Sequence, residues 1–549
     1  MIHHSITEHP LCHKSLTTIN MTKSAGCIIN RIGVTIICIA CFLPKVYLFT
    51  DKLILPKFYL CILGWSVLAV SNSIISLKSD NNDGFYSMLR FGMIAYALAA
   101  CMECLYVLYA AISLDTFSLA QSGTFDNPAG LALSICVALP YTAWKAASSH
   151  VARTKAACAI ISLLYCSVIV MSGSRTGLLS AALCLTCLLL HIVRSRMSGK
   201  RWVKPGTAIF AALMIGAVAT YVCESKRDST NGRSFILRRS LEMAMERPVA
   251  GWGTGGFERE YMLKQAAYFS NNPNSEYAML ADEVQHPLNE FMYVQVNHGI
   301  VGTLFLVTAL LVPAFAYLFG RKRTMRPLML PLLTVTLFSC FSYPFHYPVA
   351  WMVVGLAWTA IVSHPICMKP LKRKMSYGIL LFSGLAALTF ISVDAYQEHL
   401  WYTSFKLSVK GKHTEAMRGY ETLHDYFACN RYFLYSYSMA AFMASDFDRA
   451  YQLAEECGKC WSSYNVQLLS GDICFYKHDY NKAVRHFHTA SMMCPARFAP
   501  LEGLYKVYDQ TGDTAKMDSV SRLISEKSVK VVSSDVYRIK DACKRQYNE

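Results

Sequence analysis

A short polar stretch, HPLNEF at 286–291, stands directly before a long apolar run. Proline is favoured at the first position of a helix, so Pro287 predicts that His286 lies at a helix N-terminus. The positive end of a helix disfavours a protonated ring, and a neutral imidazole can accept a proton as a general base. Asn289 could orient a ligand, and Glu290 is the next candidate for the base. The alternative is a histidine that only caps the helix.

Arg175 lies in MSGSRTGLLS, at 171–180, between two apolar runs. An arginine at the end of a membrane span is costly unless it meets water or an anion. The small residues around it would let backbone N–H groups approach a phosphate closely. We therefore predict an anion-binding role for Arg175, with snorkelling to lipid headgroups as the alternative.

A third candidate segment, at 231–247, predicts a helix that ends before Pro248 and carries Arg233, Arg238, Arg239 and Arg247. Arg233 and Arg247 are about four helical turns apart, so these arginines cannot all reach one ligand, and most are interpreted as a solvated face. The following GWGTGGF, at 251–257, resembles a phosphate-cradling loop but lacks the dinucleotide or P-loop spacing.

The elements that must position these residues are membrane helices. Of the 549 residues, 54% are hydrophobic and 16% are charged, whereas soluble proteins carry about a quarter charged residues. Apolar stretches near the length of a bilayer span predict about eleven transmembrane helices. They cover 28–49, 53–77, 88–114, 129–144, 156–173, 177–193, 205–223, 297–319, 328–344, 348–363 and 377–393.

The formal net charge of +17 comes largely from basic clusters in alternate loops between these spans. This distribution follows the positive-inside rule and argues against a nucleic-acid partner. It predicts a cytoplasmic N-terminus and a periplasmic location for both the long segment 224–296 and the chain from Asp394. Lys45, Lys52 and Lys57 contradict the rule. The clusters are Lys145, Arg153 and Lys155; Arg194, Arg196, Lys200, Arg201 and Lys204; Arg321, Lys322, Arg323 and Arg326; and Lys369, Lys372, Arg373 and Lys374.

From Gln397 the sequence repeats at about 34 residues, which is the tetratricopeptide period. The clearest unit is 464–497. Such arrays bind peptides or partner proteins, and here the array could instead buttress the large loop. Cys457 and Cys460 form a CxxC inside the array, which we interpret as packing rather than as a redox pair or disulfide.

Several stretches together resemble the O-antigen ligase superfamily, over about residues 120–350. They are GTFDNPAGLA at 123–132, SGSRTG at 172–177, GR at 232–233, GWGTGGF at 251–257, HPLNEF at 286–291 and NHGIVG at 297–302. Relatives usually have an aromatic residue four positions after the arginine of the Gly-Arg pair, where this chain has Leu237. Arg238 is therefore an alternative to Arg233.

The resemblance implies an all-α polytopic membrane protein of the bacterial inner membrane. Its expected parts are a cytoplasmic tail at 1–27, a ligase-like domain at 28–393 that contains the periplasmic loop 224–296, and a periplasmic tetratricopeptide domain at 394–549. The boundary between the ligase-like domain and the tetratricopeptide domain is the end of the last predicted span.

The implied activity moves a glycan from undecaprenyl diphosphate to a hydroxyl of lipid A core or of a protein, without a cofactor or metal. Arg175 and Arg233, or Arg238, would bind the donor diphosphate, and His286 would be the base, supported by Asn289 and Glu290. The alternatives are a polymerase that extends a lipid-linked glycan, a transporter, and a non-catalytic scaffold with protein partners on the repeats.

Overall fold

A computed structural model describes residues 10–78, 84–113, 122–196, 216, 227–320, 326–362 and 370–547. All regular elements in these ranges are helices, which confirms the predicted all-α class. The α-helices are α1 Pro10–Ala40, α2 Leu55–Lys78, α3 Gly84–Ser113, α4 Pro128–Ser148, α5 Ala152–Ser172, α6 Arg175–Arg196, α7 Arg227–Glu246, α8 Gly256–Asn271, α9 Glu290–Gly320, α10 Arg326–Phe341, α11 Pro348–Val362, α12 Pro370–Val409, α13 His413–Leu423, α14 Arg431–Met443, α15 Phe447–Cys460, α16 Tyr464–Tyr476, α17 Tyr480–Met493, α18 Ala499–Thr511, α19 Thr514–Glu526 and α20 Ser534–Tyr547.

The chain forms two compact units. The first unit comprises Met1–Val218, Ala309–Phe338 and Pro344–Tyr396. The second unit comprises Ala219–Thr308, Ser339–Tyr343 and Gln397–Glu549. The segment predicted as a large loop and the segment predicted as a separate repeat domain therefore belong to the same unit.

Within the described ranges, seven helices are long and apolar enough to cross a membrane, and α1, α10 and α11 contribute three shorter apolar stretches. The protein is thus an integral membrane protein with several spans. The predicted span 205–223 lies outside the described residues, apart from Gly216.

Two predicted span ends differ from the helices. The first span was predicted to reach residue 49, but α1 ends at Ala40. Pro44 follows closely, and a proline disfavours helical backbone in the residue before it. At the other end, α12 runs through the predicted boundary at 393 as far as Val409, because no proline or glycine interrupts the chain after Leu385.

Helix α4 of the first unit begins in the GTFDNPAGLA stretch. Asn127 caps it, since its side-chain oxygen accepts hydrogen bonds from Ala129 N at 2.8 Å and Gly130 N at 3.1 Å. Gly130 permits close packing, because a Cβ there would lie 2.5 Å from the ring of Tyr347. The Tyr347 hydroxyl donates to Asp126 Oδ1 at 2.7 Å. The stretch therefore ties the start of α4 to Tyr347.

Lys57, predicted as a loop charge on the wrong side of the membrane, is instead fully buried inside α2. Its Nζ donates to Cys41 O at 3.1 Å and to Thr124 Oγ1 at 3.2 Å, and lies 4.1 Å from the centre of the Phe125 ring. Buried Glu103 accepts a hydrogen bond from Thr124 N at 2.7 Å. Lys57 is thus an internal cation of the first unit and no exception to the positive-inside rule.

In the second unit, the glycine-rich turn after α7 docks on a kink in α9. Gly299 has a φ of 61° within that helix, and a Cβ there would lie 2.1 Å from Val249 O. The amides of Trp252 and Gly253 donate to Val296 O and Asn297 O, both at 2.8 Å. These amides therefore satisfy carbonyl groups of the kinked helix. In the described residues, the glycine-rich turn that resembles a phosphate-binding loop therefore has a structural role.

The C-terminal helices, α13 to α20, repeat a capping turn at about the predicted period of 34 residues. In each turn, a left-handed residue precedes an aspartate whose carboxylate accepts a backbone N–H three residues on. The turns are Ser445-Asp446, His478-Asp479 and Gly512-Asp513. Membership of the tetratricopeptide family stays a prediction.

The predicted loop and the C-terminal helices share a hydrophobic core. Phe257 and Val296 pack in one buried cluster with Tyr464 and Met493. This shared burial explains why the two segments form one unit. In the same unit, the Cys457 side chain is buried and donates to Arg431 O at 3.3 Å, in agreement with a packing role.

Candidate active site

The helix after His286 begins later than predicted. Helix α9 starts at Glu290, and Asn289 caps it by accepting a hydrogen bond from Met292 N at 2.9 Å. Pro287 is therefore not the first helical residue. The reason is Leu288, whose φ of 56° is left-handed and incompatible with a continuing helix. A leucine held in this conformation marks a strained backbone beside the candidate histidine.

That strained turn fixes the ring of His286. Leu288 N donates to His286 Nδ1 at 3.0 Å. The ring stacks on Tyr293, with centroids 4.5 Å apart and planes at 24°, and packs on Tyr343 at 4.9 Å. A ring nitrogen that accepts an N–H carries no hydrogen itself, so the neutral ring has its hydrogen on Nε2. The structure thus holds the imidazole between two tyrosines with a defined tautomer.

The segment Ser339–Tyr343 brings three predicted site residues together. Arg233 Nη1 donates to Phe341 O at 3.2 Å, and Asn289 Nδ2 donates to Cys340 O at 2.8 Å. Tyr343, two residues after Phe341, packs on the His286 ring. Two residues span at most about 7 Å, so these contacts form one locality. The predicted ligand-orienting amide of Asn289 is used here to hold the start of α9.

The other arginines of α7 have different surroundings. Arg238 is exposed, and five residues after Arg233 it lies on another face of the helix. Arg239 pairs with Glu242 at 2.6 Å and lies over the Tyr268 ring at 4.5 Å. Arg247 stacks on the ring of Trp252 at 4.2 Å. Of the two alternatives at the Gly-Arg pair, Arg233 is the one joined to the segment that contacts His286.

Arg175 belongs to the first unit, where it is the half-buried first residue of α6. The positive end of a helix adds to its charge and favours an anion there. Two amides predicted to approach a phosphate are already bonded: Ser174 N donates to Ser172 Oγ, and Gly177 N donates to Ser174 Oγ, both at 3.2 Å. The guanidinium and the helix end remain the features that suit an anion.

Residues 160–307 match the Wzy_C family model, which is described as O-antigen ligase. Over these residues the chain is similar to the O-antigen ligase family. The match confirms the resemblance seen in the sequence, and all six predicted site residues fall inside it. A search of curated proteins found no match. The C-terminal helices lie outside the matched ligase domain.

Two buried carboxylates lie near His286. Glu290 is close to it in the chain, and Glu258 contacts Tyr293, which stacks on its ring. Glu290 is the first residue of α9, where the helix end stabilises its charge. Glu258, on α8, accepts a hydrogen bond from the Tyr293 hydroxyl at 3.0 Å. Glu258, Tyr293 and Tyr343 were not predicted as site residues, because GFEREY, EFMYV and SCFSYP resemble ordinary helix or span-end sequences.

Proposed function

We propose that this membrane protein transfers a glycan from undecaprenyl diphosphate to a hydroxyl group of lipid A core or of a protein. The O-antigen ligase domain supports glycan transfer by a ligase or polymerase. The observation that supports the site most directly is the His286 ring, held by Leu288, Tyr293 and Tyr343 beside the segment that Arg233 contacts.

In the proposed reaction, the acceptor oxygen forms a bond to the sugar carbon and the bond to the diphosphate breaks. The diphosphate leaves with the electron pair, so negative charge grows on its oxygen in the transition state. A fixed guanidinium with two-pronged donors suits such an anion better than a lysine does. We assign this stabilisation of the diphosphate to Arg233. We propose the same role for Arg175, because it lies at the positive end of α6.

The acceptor hydroxyl must lose a proton as it attacks. We propose that Nδ1 of His286 accepts this proton. The acceptor hydroxyl would displace the Leu288 N–H from Nδ1, while Tyr293 and Tyr343 keep the ring in place. The alternative role uses the hydrogen on Nε2, which would be donated to a diphosphate oxygen. These roles differ in a testable way, since glutamine can donate a hydrogen bond but cannot act as a base.

The test uses purified protein and a lipid-linked glycan donor. Loss of a positioned base typically costs about 10²–10⁴-fold in rate, so His286→Ala and His286→Gln should both lose transfer while donor binding is retained. Near-normal transfer by His286→Gln alone would favour the hydrogen-bond donor role. Near-normal transfer by both variants would remove His286 from the reaction and turn attention to Glu290.

Mass analysis of the product distinguishes a ligase from a polymerase. Glycan joined to protein or lipid A supports the proposal, whereas longer lipid-linked chains identify a polymerase. The proposed location is the bacterial inner membrane, with the ligase site on the periplasmic side.

A further inference from the structure

The C-terminal helices contact the residues that hold His286, at several points within the second unit. We propose that Tyr293 and Glu258 are positioning residues for the His286 ring, and that the C-terminal helices keep them in place through Arg431. This inference rests on the proposed catalytic use of His286. It gives the C-terminal helices a part in the reaction that does not depend on a docked partner.

The first link is between the two rings. Tyr293 stacks almost parallel on His286, with a centroid separation of 4.5 Å. The opposite end of the tyrosine is fixed, because its hydroxyl donates to Glu258 Oε1 at 3.0 Å. A stacked ring that is tethered at its far end cannot slide without breaking a hydrogen bond to a carboxylate, which is among the stronger ones.

The second link is the carboxylate itself. Glu258 is 9% exposed, and its Oε1 also receives Arg431 Nη1 at 3.2 Å. Its Oε2 is buried without a hydrogen-bond partner among the described residues. Removing a partner from a buried, incompletely satisfied carboxylate is costly, so Tyr293 and Arg431 hold Glu258 more firmly than a surface pair would.

The third link anchors Arg431 and the backbone of Glu258. The guanidinium of Arg431, at the start of α14, lies 5.0 Å from the Tyr432 ring and 5.6 Å from the Trp461 ring. The carbonyl of Glu258 accepts hydrogen bonds from Ser462 N at 3.0 Å and Ser462 Oγ at 3.1 Å. Both ends of Glu258 are therefore held by residues of the C-terminal helices and their connections.

A second set of contacts joins the C-terminal helices to the segment directly before His286. Asp282 pairs with Arg497 at 2.6 Å, Asn465 Nδ2 donates to Glu283 Oε2 at 3.0 Å, and Tyr432 donates to Gln285 at 2.8 Å. Although burial alone would raise it, the hydrogen bonds from Glu283 N–H and Arg497 lower the pKa of Asp282 below its usual value. The backbone leading to the histidine thus has its own attachment to the same helices.

The experiment compares Tyr293→Phe, Glu258→Gln and Arg431→Met with wild-type protein in the transfer assay. Phenylalanine keeps the stacked ring, and glutamine keeps a hydrogen-bond acceptor, so both variants should fold. A small displacement of a catalytic group can cost about 100-fold, and we expect kcat to fall by about 10- to 100-fold with the donor KM unchanged. Arg431→Lys should restore part of the lost kcat.

Two matched controls make the same chemical changes elsewhere in the second unit. Tyr268→Phe removes a hydroxyl that lies 3.2 Å from Ser275 Oγ, and Glu246→Gln removes the partner of Lys264. Both controls should keep the wild-type kcat. The double variant Tyr293→Phe/Glu258→Gln should lose no more than the worse single variant, because the two residues act through the same contact.

A merely structural role would lower the yield and melting temperature while each folded molecule kept its normal kcat, and that result would overturn the proposal. Including His286→Ala separates the two levels of inference. If His286→Ala remains active, the proposed function of the histidine fails. If it is inactive while Tyr293→Phe and Glu258→Gln have wild-type kcat, only the positioning role fails.

Discussion

Each unit of the molecule buries a carboxylate near a cation, and the two networks end in different places. In the first unit, Lys57 and Glu103 are both joined to Thr124, and Lys57 also contacts Cys41 O and the Phe125 ring. In the second unit, the network from Arg431 through Glu258 reaches Tyr293, whose ring lies on His286. Burial alone therefore does not indicate the role of a charged residue. Its role is indicated by the groups that its hydrogen-bond network reaches.

Arg175 offers the strongest test of this comparison, because it is a cation of the first unit with a proposed catalytic role. Removal of one preorganised donor typically costs about 10²–10³-fold in kcat. We expect Arg175→Ala to lose transfer by at least that factor and Arg175→Lys to recover little, because lysine lacks the two-pronged geometry. The membrane helices should still insert. Wild-type transfer by Arg175→Ala, at equal protein level, would exclude this residue from the reaction.

Lys57→Met should give the opposite pattern. Loss of one partner from a buried charged network destabilises a protein by about 3–5 kcal/mol, so the yield and melting temperature in detergent should fall. Transfer per folded molecule should stay within about twofold of wild type. Lys45→Met, which removes an exposed lysine near the end of α1, serves as the control. A stable Lys57→Met protein that lacks transfer would show that the first network also serves the reaction.

The last comparison is between two arginines of α7, one of which has the smallest expected effect. Arg233 donates to Phe341 O in the segment that contacts His286, whereas Arg238 is exposed on another face. We expect Arg233→Ala to reduce kcat/KM by about 10²-fold, because it removes one preorganised donor, and Arg238→Ala to change kcat/KM by less than about twofold. Kinetics at several donor concentrations would measure both. A larger loss for Arg238→Ala would favour the alternative assignment of the Gly-Arg pair.

The sequence predicted the class of fold well because apolar runs of bilayer length carry a strong signal. The helix ends were harder to predict. Hydropathy continued past Ala40, although the nearby Pro44 disfavours a helix there. Lys57 was counted as a loop charge because hydropathy carries no information about the hydrogen bonds that satisfy a buried lysine.

The candidate site was predictable where local patterns sufficed. Arg233 was expected on a helix and lies in α7, whereas His286 precedes the start of α9 at Glu290 by four residues instead of lying at the helix end. The segment Ser339–Tyr343 was missed because it resembles the end of an apolar span. The contact of Glu258 with Arg431 joins residues far apart in the chain, and spacing carries no information about such pairs. The left-handed Leu288 was also unpredictable, since leucine seldom adopts that backbone.

The capping turns at Asp446 and Asp479 have a consequence for how this protein can change in length. Arg431 and Arg497 lie on either side of these turns and reach two separate points, Glu258 and Asp282. The distance between those points sets how many helical pairs fit between the arginines. Duplication of a pair after Arg497 would leave both contacts intact, whereas duplication between them would pull one apart. The two contacts of Arg431 and Arg497 therefore constrain the number of helices that lie between these arginines.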